Sequence, residues 1–211
     1  MVKHIALGLL AAWGLSAWAQ PNGSTKPVFK VGDVAVYTVN NRADKRIDEE
    51  TVTVTAVESE LIRFSHVRPG REPAEIEGQF TPDMRQVQSG TSGTRFDPPI
   101  PLAMIPMVVG DSWKSASEMV ALNKARSKTD FTYKVVATEK LTTPAGDFET
   151  FKIESDGWVT GISWQGSLRV TQSLWYAPSI GRVVRSEFRD FRGGRPWTDT
   201  LTELKTFKPA P

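Results

Sequence analysis

The sequence predicts an all-β protein, a large curved antiparallel sheet or partly open β-barrel whose pattern suggests two similar β-modules. Three observations predict it. Apolar and polar side chains alternate with a period of two in several runs, Gly- and Pro-rich clusters separate those runs, and no long stretch keeps an apolar 3.6-residue period. Thr51-Val52-Thr53-Val54-Thr55-Ala56 shows the alternation with β-branched residues, which lets one face pack while the other meets water. Phe131-Thr132-Tyr133-Lys134-Val135 repeats it with aromatics. Turn clusters lie at Arg68-Pro69-Gly70, Ser89-Gly90-Thr91-Ser92-Gly93, Pro144-Ala145-Gly146-Asp147 and Gly193-Gly194-Arg195-Pro196. A short helix between Glu118 and Ala125 is compatible with Met119, Leu122 and Ala125 sharing one face.

The chain opens on Lys3 and His4, followed by an apolar run from Ile5 to Trp18 and the small-residue ending Ala17-Trp18-Ala19. This predicts a secretory signal peptide over residues 1–19, cleaved after Ala19, and a periplasmic or secreted location. The run is shorter than the about 20 apolar residues that a membrane-crossing helix needs, and no later stretch rivals it, so the mature chain is expected to lack a transmembrane anchor. The remaining chain is long enough to bury roughly 70% of the surface exposed on unfolding. It has to rely on that packing, because zero cysteines exclude disulfides, thiolate metal sites and cysteine nucleophiles. With 26 Lys+Arg against 24 Asp+Glu it also lacks the basic bias of a general nucleic-acid binder.

The mature sequence divides into an N-terminal β-module over 20–97 and a C-terminal β-module over 98–211, packed as one domain. A weak internal repeat motivates the division. Val31-Gly32-Asp33 precedes the strand at 51–58 and then Leu61-Ile62-Arg63-Phe64; Val109-Gly110-Asp111 precedes the strand at 131–139 and then Phe148 to Ile153 at nearly the same spacing. The Pro-rich segment from Asp97 to Pro106 joins the halves, extended and without ladder hydrogen bonds, its Ile, Leu and Met lying against the core. From Trp158 to Tyr176 the even positions hold Trp158, Ile162, Trp164, Leu168, Val170, Leu174 and Tyr176. A strand that long exceeds the usual ~17–20 Å, so a three-residue loop or bulged bend at Gln165-Gly166-Ser167 is expected, keeping these even positions on one face.

Four runs carry a family resemblance: Val109-Gly110-Asp111-Ser112-Trp113, Tyr133 to Glu139, Thr143-Pro144-Ala145-Gly146-Asp147-Phe148 and Trp175-Tyr176-Ala177-Pro178-Ser179-Ile180-Gly181-Arg182. Through them the chain resembles exported bacterial β-domains of unknown function, over about residues 98–207. The resemblance implies a curved antiparallel sheet or open barrel in an envelope protein, with no established catalytic residues. In both turn motifs proline presets the first turn residue, and Gly146 and Gly181 supply positive φ.

Chemistry is sparse. His66 is the only histidine left after the leader and reads as a structural or solvated side chain at a strand end, which leaves a serine triad or a zinc site without its parts. Carboxylates such as Asp48-Glu49-Glu50, Glu58, Glu60, Glu72, Glu75, Glu77, Glu154 and Asp156 read as solvated faces and turns, since sequence selects no pair among them. Arg185 and Arg189 share a strand face with Glu187, a charged outer surface or an anion-recognising stripe. Trp158, Trp164 and Tyr176 read as core or as a concave aromatic wall, and Trp175, on the otherwise polar face, as a surface contact. The expected function is therefore a noncatalytic envelope binding protein holding a lipid or other amphipathic ligand, with Trp158, Trp164, Trp175, Tyr176, Arg185 and Arg189 as candidate ligand-binding residues. Alternatives are an accessory protein binding another envelope protein and a carbohydrate-active hydrolase with paired carboxylates. Expected partners are a lipid, a glycan or an envelope protein, without nucleic acid, cofactor or metal.

Overall fold

The computed structural model describes residues 26–211, so the leader expected over 1–19 lies outside the described residues. Twelve strands follow in order: β1 Val34–Asn41, β2 Arg46–Val57, β3 Ile62–Val67, β4 Glu75–Phe80, β5 Arg85–Gln88, β6 Arg95–Pro101, β7 Ser112–Val120, β8 Arg126–Thr143, β9 Gly146–Gly161, β10 Ser167–Ala177, β11 Arg182–Arg192 and β12 Arg195–Lys208. Each pairs antiparallel with its chain neighbours, and β1 pairs with β12, so the expected curved sheet is a closed barrel. The segment from Glu118 to Ala125 is strand and turn rather than helix, because Lys124 N donates to Ala121 O and Ala121 N to Ala125 O to close a hairpin. The Pro-rich joint is also partly strand: Arg95 to Asp97 pair with β7, while Ile100 and Pro101 pair with β5. Its Ile100 and Ala103 are buried and Leu102 packs against the core, but Met104, expected there too, is 40% exposed.

The two-residue period sets the inside and outside. From Arg126 to Val135 exposed and buried residues alternate without a break, with Phe131, Tyr133 and Val135 inward and Lys128, Asp130 and Lys134 outward. A wall that is charged outside and apolar inside reverses the pattern of a membrane-spanning barrel, which shows an apolar band to lipid. Among the described residues no helix is long and apolar enough to cross a membrane.

The Val-Gly-Asp repeat recurs as one geometry. Gly32 (φ 92°) and Gly110 (φ 102°) donate to Val54 O and Val135 O at 2.9 Å, and the following aspartates accept back from the same two valines at 3.0 and 2.9 Å. Just beyond those valines, β2 and β8 each shift register by one residue, at Val54/Ala56 and Val135/Ala137. A glycine is needed in each turn because positive φ crowds a Cβ against the backbone. Beyond its shift, β8 continues with β9 into a long hairpin. Leu141, Ala145 and Phe148 near its tip pack with Trp175, Ala177, Val184 and Leu204 in a second, smaller core.

Gly146 (φ 128°) and Gly181 (φ 62°) do take positive φ. A Cβ on Gly146 would meet open space, whereas one on Gly181 would stand 2.6 Å from Pro27 Cβ. Gly146→Ala and Gly181→Ala should each lower stability, by about 1–3 kcal/mol from backbone strain. Only Gly181→Ala should also speed amide exchange around Phe29, because only there must the N-terminal segment move. Exchange that is equally fast, or unchanged, in both variants would contradict the steric assignment.

Candidate functional site

The barrel encloses a cavity of about 640 Å³. One end is closed. There Phe29 is buried against Phe64, and the Arg182 guanidinium lies 4.3 Å from the Phe29 ring centre, with Phe207 and Phe64 at 5.5 and 5.8 Å. Arg182 Nη2 donates to Asp33 Oδ2 at 3.0 Å, and the same carboxylate accepts from Lys30 N at 3.1 Å and Ala210 N at 2.9 Å. One buried aspartate thus joins the N-terminal segment, the C-terminal segment and the β10–β11 turn. Burial lowers the Arg182 pKa from its ordinary value, and the Asp33 charge works against that. Arg182 Nη1 and Tyr176 Oη, both buried, have no hydrogen-bond partner among the described residues.

Polarity grades along the cavity. On β8, running from the open end inward, Thr129 comes before Phe131 and Tyr133; on β12, Thr198, Thr200 and Thr202 line the cavity, and Phe96 and Met119 stand beside the hydroxyls near the opening. The deeper wall is mainly apolar, with Phe64, Met84, Ile100 and Leu174, and Arg182 also lines it at the closed end. Thr91 and Ser92 of the β5–β6 loop line the cavity and are solvent-exposed, so it opens between the loops at that end. The arrangement can hold a chain of apolar atoms in depth and hydroxyl- or amide-bonding groups near the mouth.

One ionisable pair stands in the wall. His66 Nδ1 lies 2.5 Å from Glu50 Oε1, and Glu50 is buried, so this member of the acidic run is not on a solvated face. The rest of the imidazole is walled by glycine: a Cβ on Gly78 would come within 2.7 Å of Nε2, and one on Gly90 within 2.0 Å of Cδ2. Among the described residues no hydroxyl is hydrogen-bonded to the imidazole, and the pair's evident role is to satisfy a buried carboxylate.

The residues singled out from sequence scatter. Tyr176 is fully buried in the main core, and Trp164 packs against that core while its indole donates to Ser127 Oγ at 2.9 Å. Trp158, expected inside, is 52% exposed. The reason is the hairpin: Gly161 N donates to Gly166 O, four residues form the loop, and Trp158 therefore pairs with Arg169 on the outer face. A loop with an even number of residues exchanges the faces that a three-residue loop would preserve. Trp175, expected at the surface, is 7% exposed; it is covered by the β8–β9 hairpin, hydrogen-bonds Glu139, and lies under Lys152 and Arg185. Arg189 pairs with Glu187 and Asp199 on the outer wall, and Arg185 with Glu187. Of the six, Arg185 alone borders the cavity. The threonine ladder at 198, 200 and 202 was missed, though its period-two spacing between Asp199, Leu201 and Glu203 was a visible signal.

Among the described residues no group of three or more His, Asp or Glu could hold a metal ion. A family model described as DUF3108-like matches residues 30–194. A candidate exported protein with YmcC-like fold from Bacteroides fragilis is 15% identical, with 88% of this chain and 99% of that one covered and a TM-score of 0.57. A candidate lipoprotein from Parabacteroides distasonis is 14% identical, with 90% and 100% covered and a TM-score of 0.55. These likenesses show the fold. No curated protein matches the sequence.

The three tyrosines report on the interior. Burial pushes Tyr37 and Tyr176 up to about 12, from an ordinary value of 10.0, and Tyr133 further still. A phenol whose pKa is raised on folding contributes stability that is complete below pH 10 and lost as pH rises through the folded value. Absorbance at 295 nm should therefore show almost no tyrosinate in the folded protein at pH 11 and a cooperative rise on alkaline unfolding. Titration of even one tyrosine near its ordinary value in the folded state would contradict the closed interior.

Proposed function

The chain belongs to the DUF3108-like family, and from that premise we propose that it is an exported envelope protein that carries the hydrocarbon part of an amphipathic ligand inside its barrel. The apolar run at Ile5–Trp18 and the exported or lipoprotein descriptions of its structural neighbours support the compartment. The cavity carries the ligand reading: its volume lies within the range of small-molecule sites, its deep wall is mainly apolar and its mouth carries hydroxyls beside Phe96 and Met119. Such a gradient matches a ligand with a hydrocarbon tail and a polar head, the tail directed toward Phe29. Tail burial supplies the driving force, and the polar head keeps its water or finds threonine hydroxyls at the collar. The ligand leaves by the same route, so binding is reversible.

Burial of each methylene is worth about 0.8 kcal/mol, or about fourfold in affinity. Purified, delipidated protein should therefore bind saturated fatty acids of increasing length with affinity rising about fourfold per carbon until the cavity is filled, then levelling. Thr200→Trp, which places an indole in the collar without disturbing the core, should weaken binding at least tenfold while leaving the thermal midpoint within a few degrees. Native mass spectrometry of protein purified gently from the envelope should show additional lipid mass. An affinity independent of chain length and indifferent to Thr200→Trp would sink the reading.

A further inference from the structure

The end at which the cavity opens carries a charge that the closed end lacks. Six connections meet there, at residues 42–45, 68–74, 89–94, 121–125, 162–166 and 193–194. Counted with the strand residue on either side, they hold ten Lys and Arg against three acids, Asp44, Glu72 and Glu75. The closed end, counted the same way with residues 26–33 and 209–211, holds five of each sign. Some of the mouth's cations are matched by carboxylates on the walls, as Arg42 is by Glu187 and Arg126 by Glu118. Lys45, Lys124, Arg192 and Arg195 form no ion pair among the described residues, and all four are exposed.

Two of these lysines occupy unfavourable backbone. Lys45 (φ 57°) and Lys124 (φ 68°) sit in the left-handed region, where glycine or asparagine fits with less strain. Each is at the tip of a mouth hairpin, so in both places a cation is kept at a conformational cost. Beside the cations stand large apolar side chains that are substantially exposed: Ile47 is 66% exposed, Leu122 53%, Trp197 63% and Ile162 40%. Arg192 lies 4.7 Å over the Trp197 ring. The closed end has exposed aliphatic residues too, Val108 and Val109 among them, but no cationic surplus and no exposed tryptophan.

We propose that the mouth of the barrel docks on a bilayer surface bearing anionic headgroups. Lys45, Lys124, Arg192 and Arg195 meet the phosphates, while Ile47, Leu122, Ile162 and Trp197 enter the headgroup layer. A bilayer fits this rim better than a protein partner does, because the apolar side chains come from four different places along it, Ile47 at the start of β2, Trp197 at the start of β12, and Leu122 and Ile162 on two connections, rather than from one element. A fluid surface accommodates each tip independently, and indole and arginine are suited to the membrane–water boundary. The docking rests on the rim alone and needs no particular occupant of the cavity.

The test is co-sedimentation of the purified protein with phosphatidylcholine vesicles, with and without added phosphatidylglycerol, read beside tryptophan fluorescence. Binding should require the anionic lipid, weaken with added salt, and shift the emission to the blue; Trp197→Ser should remove most of that shift. The paired change Lys45→Gly and Lys124→Gly relieves the left-handed backbone, so the thermal midpoint should hold or rise. The same change should lower vesicle partitioning about twentyfold or more, at about fivefold per lost charge. Val108→Ser with Val109→Ser, at the closed end, should change nothing. Equal binding to neutral vesicles, indifference to the paired lysine change, equal loss from the closed-end variant, or capture of the mouth by a protein with no vesicle binding would each overturn the proposal. Loss of fatty-acid binding by Thr200→Trp without loss of vesicle binding would separate this inference from the carrier reading.

Discussion

Closure of the sheet governs the rest of the molecule. Once β1 pairs with β12, each of the twelve strands has two neighbours, and the barrel wall offers no free edge; in the β8–β9 hairpin, β8 beyond Val135 and β9 before Phe151 pair only with each other. Closure also sets the interior volume. About eight strands make a barrel that inward side chains can fill, and wider barrels enclose free space unless something occupies it. With twelve strands the interior remains partly empty even though Phe64, Phe131 and Phe151 point into it or pack its core. The cavity is thus a consequence of strand number rather than of local underpacking.

A wide barrel also needs a stopper, and the closed end supplies one with a buried charge pair. Buried ion pairs contribute little net stability compared with apolar packing, but removing one partner is costly because the other is left uncompensated. Here the pair fixes geometry. Asp33 receives Arg182 and two backbone amides from opposite ends of the chain, and three aromatic rings surround the guanidinium. The twin aspartate at 111 makes the same turn and accepts from Val108 N at 2.8 Å, but pairs with no cation among the described residues. One copy of a shared turn closes the barrel, and the other only ends a strand.

Much of this was legible where physics is local. Alternation between Arg126 and Val135 gave inside and outside residue by residue, and the matched Val-Gly-Asp runs marked two turns of the same geometry, against β2 and β8. Gly146 and Gly181 declared their backbone through the prolines before them. The candidate site was far less legible. The side of the sheet on which Trp158 falls depends on the number of residues in the β9–β10 loop, and one residue more or fewer inverts it. Trp175 reads as exposed because its own strand is polar around it, yet a hairpin distant in sequence folds over it. Glu50 sits in an acidic run that looks solvated, and only the strand register brings His66 against it. Closure itself depends on a pairing between the first and last strands, which no local pattern announces.

Both described ends of the chain meet at Asp33. The segment around Lys30 and the amide of Ala210 share that one carboxylate, on the far side of the barrel from the Thr91 and Ser92 opening. Any tether, label or fused partner attached at either end would trail from the base like a stalk beneath a cup. The opening would stay unobstructed and face away from the attachment point, so the molecule can be immobilised by its ends without covering its entrance.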